Sequence, residues 1–441
     1  MPDLRQLTFG NYGHTLNRRQ VASPDRKWVA YDVRNDDTQI ASTDAIEMVH
    51  VDSGEIVRLY QTDRQSKFGP GVGAVSFHPR ERRIVFIHGL ESCSEEKPYS
   101  AARRFGAIVE IDSPGRMVHA ESRFVAPDSK LSTLEMGILG GGTHAHSWNS
   151  EGWISFTYND ARLERLSRLD AKIRDLRTVG FMLPEKPNTN RSDWGPASSE
   201  DFLGTYTAFV AAQVRPFAKH GSDEIEQAVE ECWLGNVQAN AGIESKHTLS
   251  MAFQGAVRDE AGSLVHEIFR CDLPSLEKLQ DVNGQRVDDS DPYAGLRAVP
   301  GCHQQRLTVT VGRKFPGVRG PRNWLVSSPG GEYVYFPTAD DSGIVQLFRV
   351  PSTGGDIQQI TDLENSIGDQ ISLDESGLKC AFIADQRICL VDLVSGEHQW
   401  LTTRGQHVLV GAVHFMKQDQ WVINAYAKTE SQPFLQIFAC E

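Results

Sequence analysis

NWLVSSPGGEYVYFPTADDSGIVQLFRVPSTGGDIQQIT (residues 323–361) reads as four β-strands joined by three turns. The apolar NWLV runs into an SPGG turn. EYVYFPTA, β-branched and aromatic, ends in the acidic pair Asp340–Asp341; GIVQLFRV follows, and STGGD turns the chain into QQIT. Strand formers bounded by Pro, Gly, Ser and Asp are what a tight antiparallel meander needs. Four strands in that order make one blade of a β-propeller.

The phrase recurs. RRQVASPDRKWVAYDVRND (18–36), GAVSFHPRERRIVFIHGLE (73–91), HAHSWNSEGWISFTYNDAR (144–162), DQISLDESGLKCAFIADQR (369–387) and GAVHFMKQDQWVINAYAKT (411–429) share the layout of strand, polar turn and second strand. QRICLVDLVSGEHQWLT (386–402) repeats the second half of the unit. A less regular seventh copy fits between Trp233 and about Leu279, with HTLSMAFQGAV and SLVHEIFRCDLP as its middle strands. The fold class is therefore all-β, a seven-bladed β-propeller spanning residues 1–441 as one domain. RQLTF (5–9) matches the fourth strands QQIT and QWLT, while FLQIFAC (434–440) reads as a third strand, so the N-terminal strand is expected to close the last blade and leave no open edge.

Three segments interrupt the ring: 92–104, about 184–231, and about 280–317. In the second, SDEIEQAVEECW places Ile225, Ala228, Val229 and Cys232 at helical spacing behind Ser222, which predicts a short capped helix lying over the edge that carries the histidines discussed below.

Composition narrows the partners. A formal net charge of −13 disfavours phosphate backbones and anionic membranes, so small or neutral partners are expected, and no nucleic acid or membrane. The seven cysteines are scattered, with no C-x-x-C pair, and no basic–apolar leader opens the chain; both point to a reducing, cytoplasmic setting.

One blade carries chemistry. In GGGTHAHSW (140–148), His144 and His146 stand at i, i+2 at the start of a strand, and strict alternation puts both imidazoles on one face. Two neutral imidazoles so placed can ligate a divalent metal, with the preceding glycines allowing close approach. Two hydrogen-bonded histidines of a blade edge are the structural alternative. The ends of the second strands return to the same edge, bringing Asp32, Arg34, His88, Asn159, Asp160, Gln254, Asp340, Asp341 and Asp385 there. Arg103–Arg104 and Arg322 suit a bidentate carboxylate clamp or a surface ion pair. No nucleophile elbow, phosphate loop or dinucleotide fingerprint is present.

SPDRKWVAYDVR, GAVSFHPRERRIVFIHG, GGTHAHSWNSEGWISFTYND and GSDEIEQAVEECWLG together resemble the YidR-like bacterial proteins, TolB-type β-propellers, over nearly the whole chain. HAHSWNSEGWISFTYND is more distantly similar to oligogalacturonate lyases, propellers that bind manganese through a His-x-His pair and cleave uronate disaccharides by β-elimination. That likeness implies His144 and His146 as ligands of a divalent metal, Mn before Zn or Ni, with the further ligands open among Asp160, Gln254, His88 and His14, the first two preferred. The glutamine that this family carries three residues before its first histidine falls here on Gly141, which is a departure. The implied reaction has His88 as base and Arg34 or Arg322 holding a carboxylate of a small acidic saccharide. The alternatives are a non-catalytic scaffold whose edge binds a protein or peptide, and a metal-dependent hydrolase of small esters or lactones.

Overall fold

A computed structural model describes residues 4–440 apart from Asp37, 122–134, 185–203, 236–248, Asp289, 319–323, 403–406, Gln418 and 428–431. Seven four-stranded antiparallel sheets follow one another along the chain. Numbered in order, blade 1 begins at Thr15–Leu16, blade 2 at Val72–Phe77, blade 3 at Gly141–Trp148, blade 4 at Ile225–Trp233, blade 5 at Val326–Ser327, blade 6 at Ser372–Leu373 and blade 7 at Val408–Phe415. Each blade takes three further strands outward from that inner one. Apolar alternation covers both faces of every sheet, so neighbouring blades share cores: Val85 and Ile108 of blade 2 pack with Trp148, Phe156 and Tyr206 of blade 3.

Blade 7 is completed by the N-terminus. Leu4–Gln6 pairs with Cys440–Phe438 at its outer edge. The Leu7 amide donates to the Ile437 carbonyl at 2.8 Å, and Thr8 Oγ1 donates to Gln436 Oε1 at 2.9 Å. The two chain ends thus share one sheet.

The inner strands of blades 2, 3, 4 and 7 each carry a β-bulge. Registers slip between Gly73 and Ser76, His144 and Ser147, Val229 and Cys232, and Val410 and His414. Each slip holds a residue in the left-handed region: Ala74 (φ 55°), Ala145 (φ 63°), Glu230 (φ 57°) and Gly411 (φ 82°). A bulge sets two residues against one and re-aims the side chains that follow.

The expected helix in SDEIEQAVEECW is absent: Ile225–Trp233 is the inner strand of blade 4, and Ser222 accepts from the Glu224 amide in a turn. The segment 184–231 accordingly holds the outer strand of blade 3 (Thr207–Val210) and the inner strand of blade 4, with no helix among its described residues. Its residues 185–203, the part expected to lie over the histidines, fall outside the described residues. Helices form elsewhere. Ala161–Leu169 follows the second strand of blade 3 directly, and Leu276–Val282 follows the third strand of blade 4.

Candidate functional site

The inner strand of blade 3 starts at Gly141, so His144 and His146 lie within the channel wall, below the blade edge where the sequence places them. Nor does alternation hold between them. His144 pairs with Thr157 and Ser147 with Ser155, leaving Ala145 and His146 together opposite Phe156. The bulge at Ala145 therefore breaks the shared face that the i, i+2 spacing predicts.

The two imidazoles differ in role. His146 is fully buried, and its ring lies on Gly106 of blade 2, where an added Cβ would stand 3.0 Å from Nε2. That nitrogen meets Thr143 Oγ1 at 2.9 Å, and the Thr143 hydroxyl donates to Glu121. With its one proton committed to the carboxylate, the hydroxyl must accept from His146 Nε2–H, which leaves Nδ1 as a bare lone pair. Burial pushes Glu121 up to about 7 and His146 down to about 3, the latter helped by the nearby charges of Arg104 and Arg19. His144 is half-buried, and its ring bonds the Thr157 backbone. Its Nδ1 is buried without a partner among the described residues. Burial, then Arg104 and Arg177, hold it well below the usual histidine range, so it is neutral at physiological pH.

Arg104 opens the third strand of blade 2 and is 9% exposed; its Nη1 donates to Tyr99 Oη at 3.1 Å. Arg177 opens the third strand of blade 3. The glycines before the histidines serve this packing. A Cβ on Gly142 would fall 1.9 Å from the Ala101 carbonyl, so Gly142 admits protein backbone, the 92–104 segment that delivers Arg104, where a metal was expected to approach.

Most other expected site residues are engaged structurally. His88 is sealed against Phe105, with Nε2 on Tyr60 Oη at 2.9 Å and Nδ1 on the Gly89 carbonyl at 2.6 Å, which leaves no nitrogen for a base. Arg34 spends Nε and Nη2 on both oxygens of Asp32 at 2.6 and 2.7 Å, which removes it as a substrate clamp. Asp160 caps the Ala161–Leu169 helix through the Leu163 amide at 2.7 Å and accepts from Tyr158 Oη at 3.0 Å; it is a cap, not a ligand. Gln254 is buried on the second strand of blade 4 opposite Val229. Arg322 lies outside the described residues.

Manganese favours several oxygen donors around two imidazoles. Among the described residues no group of three or more His, Cys, Asp and Glu side chains converges. The charge first to act on both imidazoles is instead the Arg104 guanidinium. The donor set does not fit the metal that the lyase likeness implies.

The residues absent from the sequence reading are Arg177, Glu121 and Thr143. Arg177 follows a helix that no turn signal announced, and Glu121 lies beyond the last strand of blade 2.

Together these features define a seven-bladed β-propeller closed by its N-terminal strand, with an imidazole–guanidinium cluster at the junction of blades 2 and 3. Residues 71–193 match the family described as "Protein of unknown function (DUF3748)". The chain belongs to the YidR family: it is 32% identical over 427 residues, 95% of its length and 94% of the relative's, to the uncharacterized protein YidR of Escherichia coli strain K12. Among solved structures, an oligogalacturonate lyase in complex with manganese is similar at a TM-score of 0.52 and 7% identity, covering 100% of this chain and 93% of that one. The oligogalacturonate lyase of Vibrio parahaemolyticus is similar at 0.50, again with 7% identity, 100% and 93%. At such identity the likeness establishes the fold. Among the described residues, no helix is long and apolar enough to cross a membrane.

Proposed function

We propose that the protein acts on a small acidic saccharide at the wall of blade 3, by β-elimination with His144 as the base. The observation that carries this reading is the state of His144. It is neutral and half-buried, its ring bonds the Thr157 backbone, and its sealed Nδ1 has no partner among the described residues, whereas His88 and Asp160 are fully occupied. The substrate class is taken over from the oligogalacturonate lyases, which are similar in fold alone.

In the reaction, the imidazole takes the proton from the carbon bearing the carboxylate. The C–H electron pair becomes the new C=C bond as the neighbouring C–O bond breaks, and the departing oxygen takes a proton from water. Burial first, and then the two guanidiniums, keep His144 neutral in the free protein; a bound anion offsets the guanidinium part and raises the imidazole's proton affinity.

The test is incubation with short oligogalacturonates, following the ultraviolet absorbance of the unsaturated product. Wild-type protein should form it, and His144→Ala should slow it by about 100-fold or more, the scale of a lost general base. Bound saccharide with no product over pH 5–9 would reject the elimination in favour of a binding propeller.

A further inference from the structure

We infer that Arg104 and Arg177, which open the third strands of two adjacent blades beside the strand of His144, form a seat for a ligand carboxylate. The inference deepens the reading of this site as one for acidic ligands by assigning the groups that recognise the acid.

Elsewhere in the chain, arginines withdrawn from solvent grip carboxylates: Arg34 holds Asp32, Arg306 holds Glu267 at 3.0 Å, and Arg19 holds Glu231 at 3.0 Å. Such pairing is the rule, because an unpaired buried charge is costly. Arg104 and Arg177 break it. The Nε of each is sealed from solvent without a hydrogen-bond partner, and neither makes an ion pair among the described residues. Among the described residues Arg104 has the Tyr99 hydroxyl alone, a neutral partner that fixes its direction. The fold brings them to one junction: Arg177 stands across Asn159 from Gly142, and Gly142 packs on Ala101 and Ala102, just before Arg104. Burial and then the Arg104 charge lower Arg177, against smaller opposite effects of Asp175 and Glu230.

Two like charges held together in a poorly solvated space are stabilised by an anion placed between them. A carboxylate matches best, since its two oxygens pair with the N–H groups of a planar guanidinium. His144, influenced first by Arg104 and then by Arg177 after burial, adds an N–H donor or a base beside that anion. The 92–104 segment closes over Gly142 and fixes Arg104 in place. The site is therefore built by two blades and one loop, not by mobile surface side chains.

The experiment is isothermal titration of the full-length protein with galacturonate, with neutral galactose and with inorganic sulfate, for wild type, Arg104→Gln, Arg177→Gln and the double variant. Arg82→Gln, which removes an exposed pair with Asp112, is the surface control. Galacturonate should bind wild type and the control alike, about 10-fold weaker to each single variant and at least 100-fold weaker to the double variant, and galactose should not bind. Sulfate competing as strongly as galacturonate would assign the seat to tetrahedral anions instead and overturn the carboxylate. Absence of galacturonate binding to wild type, or binding by the double variant within twofold of wild type, would overturn it outright. Melting curves give an independent readout. Removing one of two repelling, unpaired charges should raise the melting temperature of Arg177→Met without ligand, whereas an arginine satisfied by the fold would lower it on removal. The two readings fail separately. Galacturonate bound without elimination keeps the seat and rejects the lyase, and product formed at wild-type rate by the double variant does the reverse.

Discussion

Glu121 is wholly buried, and its surroundings decide its charge. It accepts from the Thr143 hydroxyl and from the Gly106 amide at 3.0 Å, yet burial outweighs both and pushes its carboxyl up to about 7. A folded-state value above the unfolded one means that the folded protein holds the proton where the unfolded chain has released it. The stability this contributes is present in full below about pH 4.5 and is lost as pH rises through 7. Glu121→Gln keeps the shape and removes the titration. Relative to wild type it should gain about 3 kcal/mol between pH 4 and pH 8.5, read from urea unfolding at each pH. A constant difference across that range would show that Glu121 titrates as an ordinary carboxylate. The same residue shows what a single sequence withholds: nothing in VHAESR marks Glu121 as buried, because its partners, Gly106 and Thr143, come from different blades.

At the scale of elements, one misreading has a definite physical cause. Ile225, Ala228, Val229 and Cys232 have helical spacing, yet they lie on a strand whose register slips twice, between Ile225 and Ala228 and between Val229 and Cys232. Each slip adds one residue to a two-residue repeat, so a doubly bulged strand imitates the i, i+3, i+4, i+7 pattern. The bulge at Ala145 likewise upset the expected pairing of the histidines. The turns, the second strands and most inner strands were legible; the inner strand of blade 4 was not, because two bulges break its alternation. The strand assignment has a consequence at Glu231. As a strand residue it is fully buried, holds Arg19, and accepts from Ser155 Oγ at 3.1 Å and Thr157 Oγ1 at 2.9 Å, thereby tying blade 4 to blades 1 and 3. Glu231→Ala strands a guanidinium and two hydroxyls, and should cost about 3–5 kcal/mol of unfolding free energy in urea. On a solvent-facing helix the same change would cost about 0.5 kcal/mol or less.

For the whole molecule, the ring is held shut by a short stretch at its start. Propeller blades protect one another's faces, but a ring open at one blade leaves two exposed flanks and an unpaired strand edge. Here the closing strand is brief, three paired residues from Leu4 to Gln6, so the contacts just beyond it matter. Leu7 is buried among Val49, Val51, Ile437 and Ala439, which joins blade 1 to blade 7. Thr8 Oγ1 bonds Gln436, whose amide in turn donates to the Tyr12 carbonyl at 3.0 Å. His14 Nδ1 meets the same Gln436 Oε1 at 2.7 Å and the Gly10 carbonyl accepts from its amide at 3.4 Å, so one glutamine near the C-terminus gathers four points of the N-terminal segment. Deleting residues 1–10 should therefore lower the melting temperature of the entire ring in a single transition, since no blade stands free of its neighbours. Leu7→Ala isolates the packing part of this effect and should cost about 2–4 kcal/mol, within the range for a large-to-small change in a core. Calorimetry distinguishes the cases. One shifted peak follows from a clasp that closes a cooperative ring, whereas an unshifted main peak after the deletion would mean that the ring holds together without its first strand.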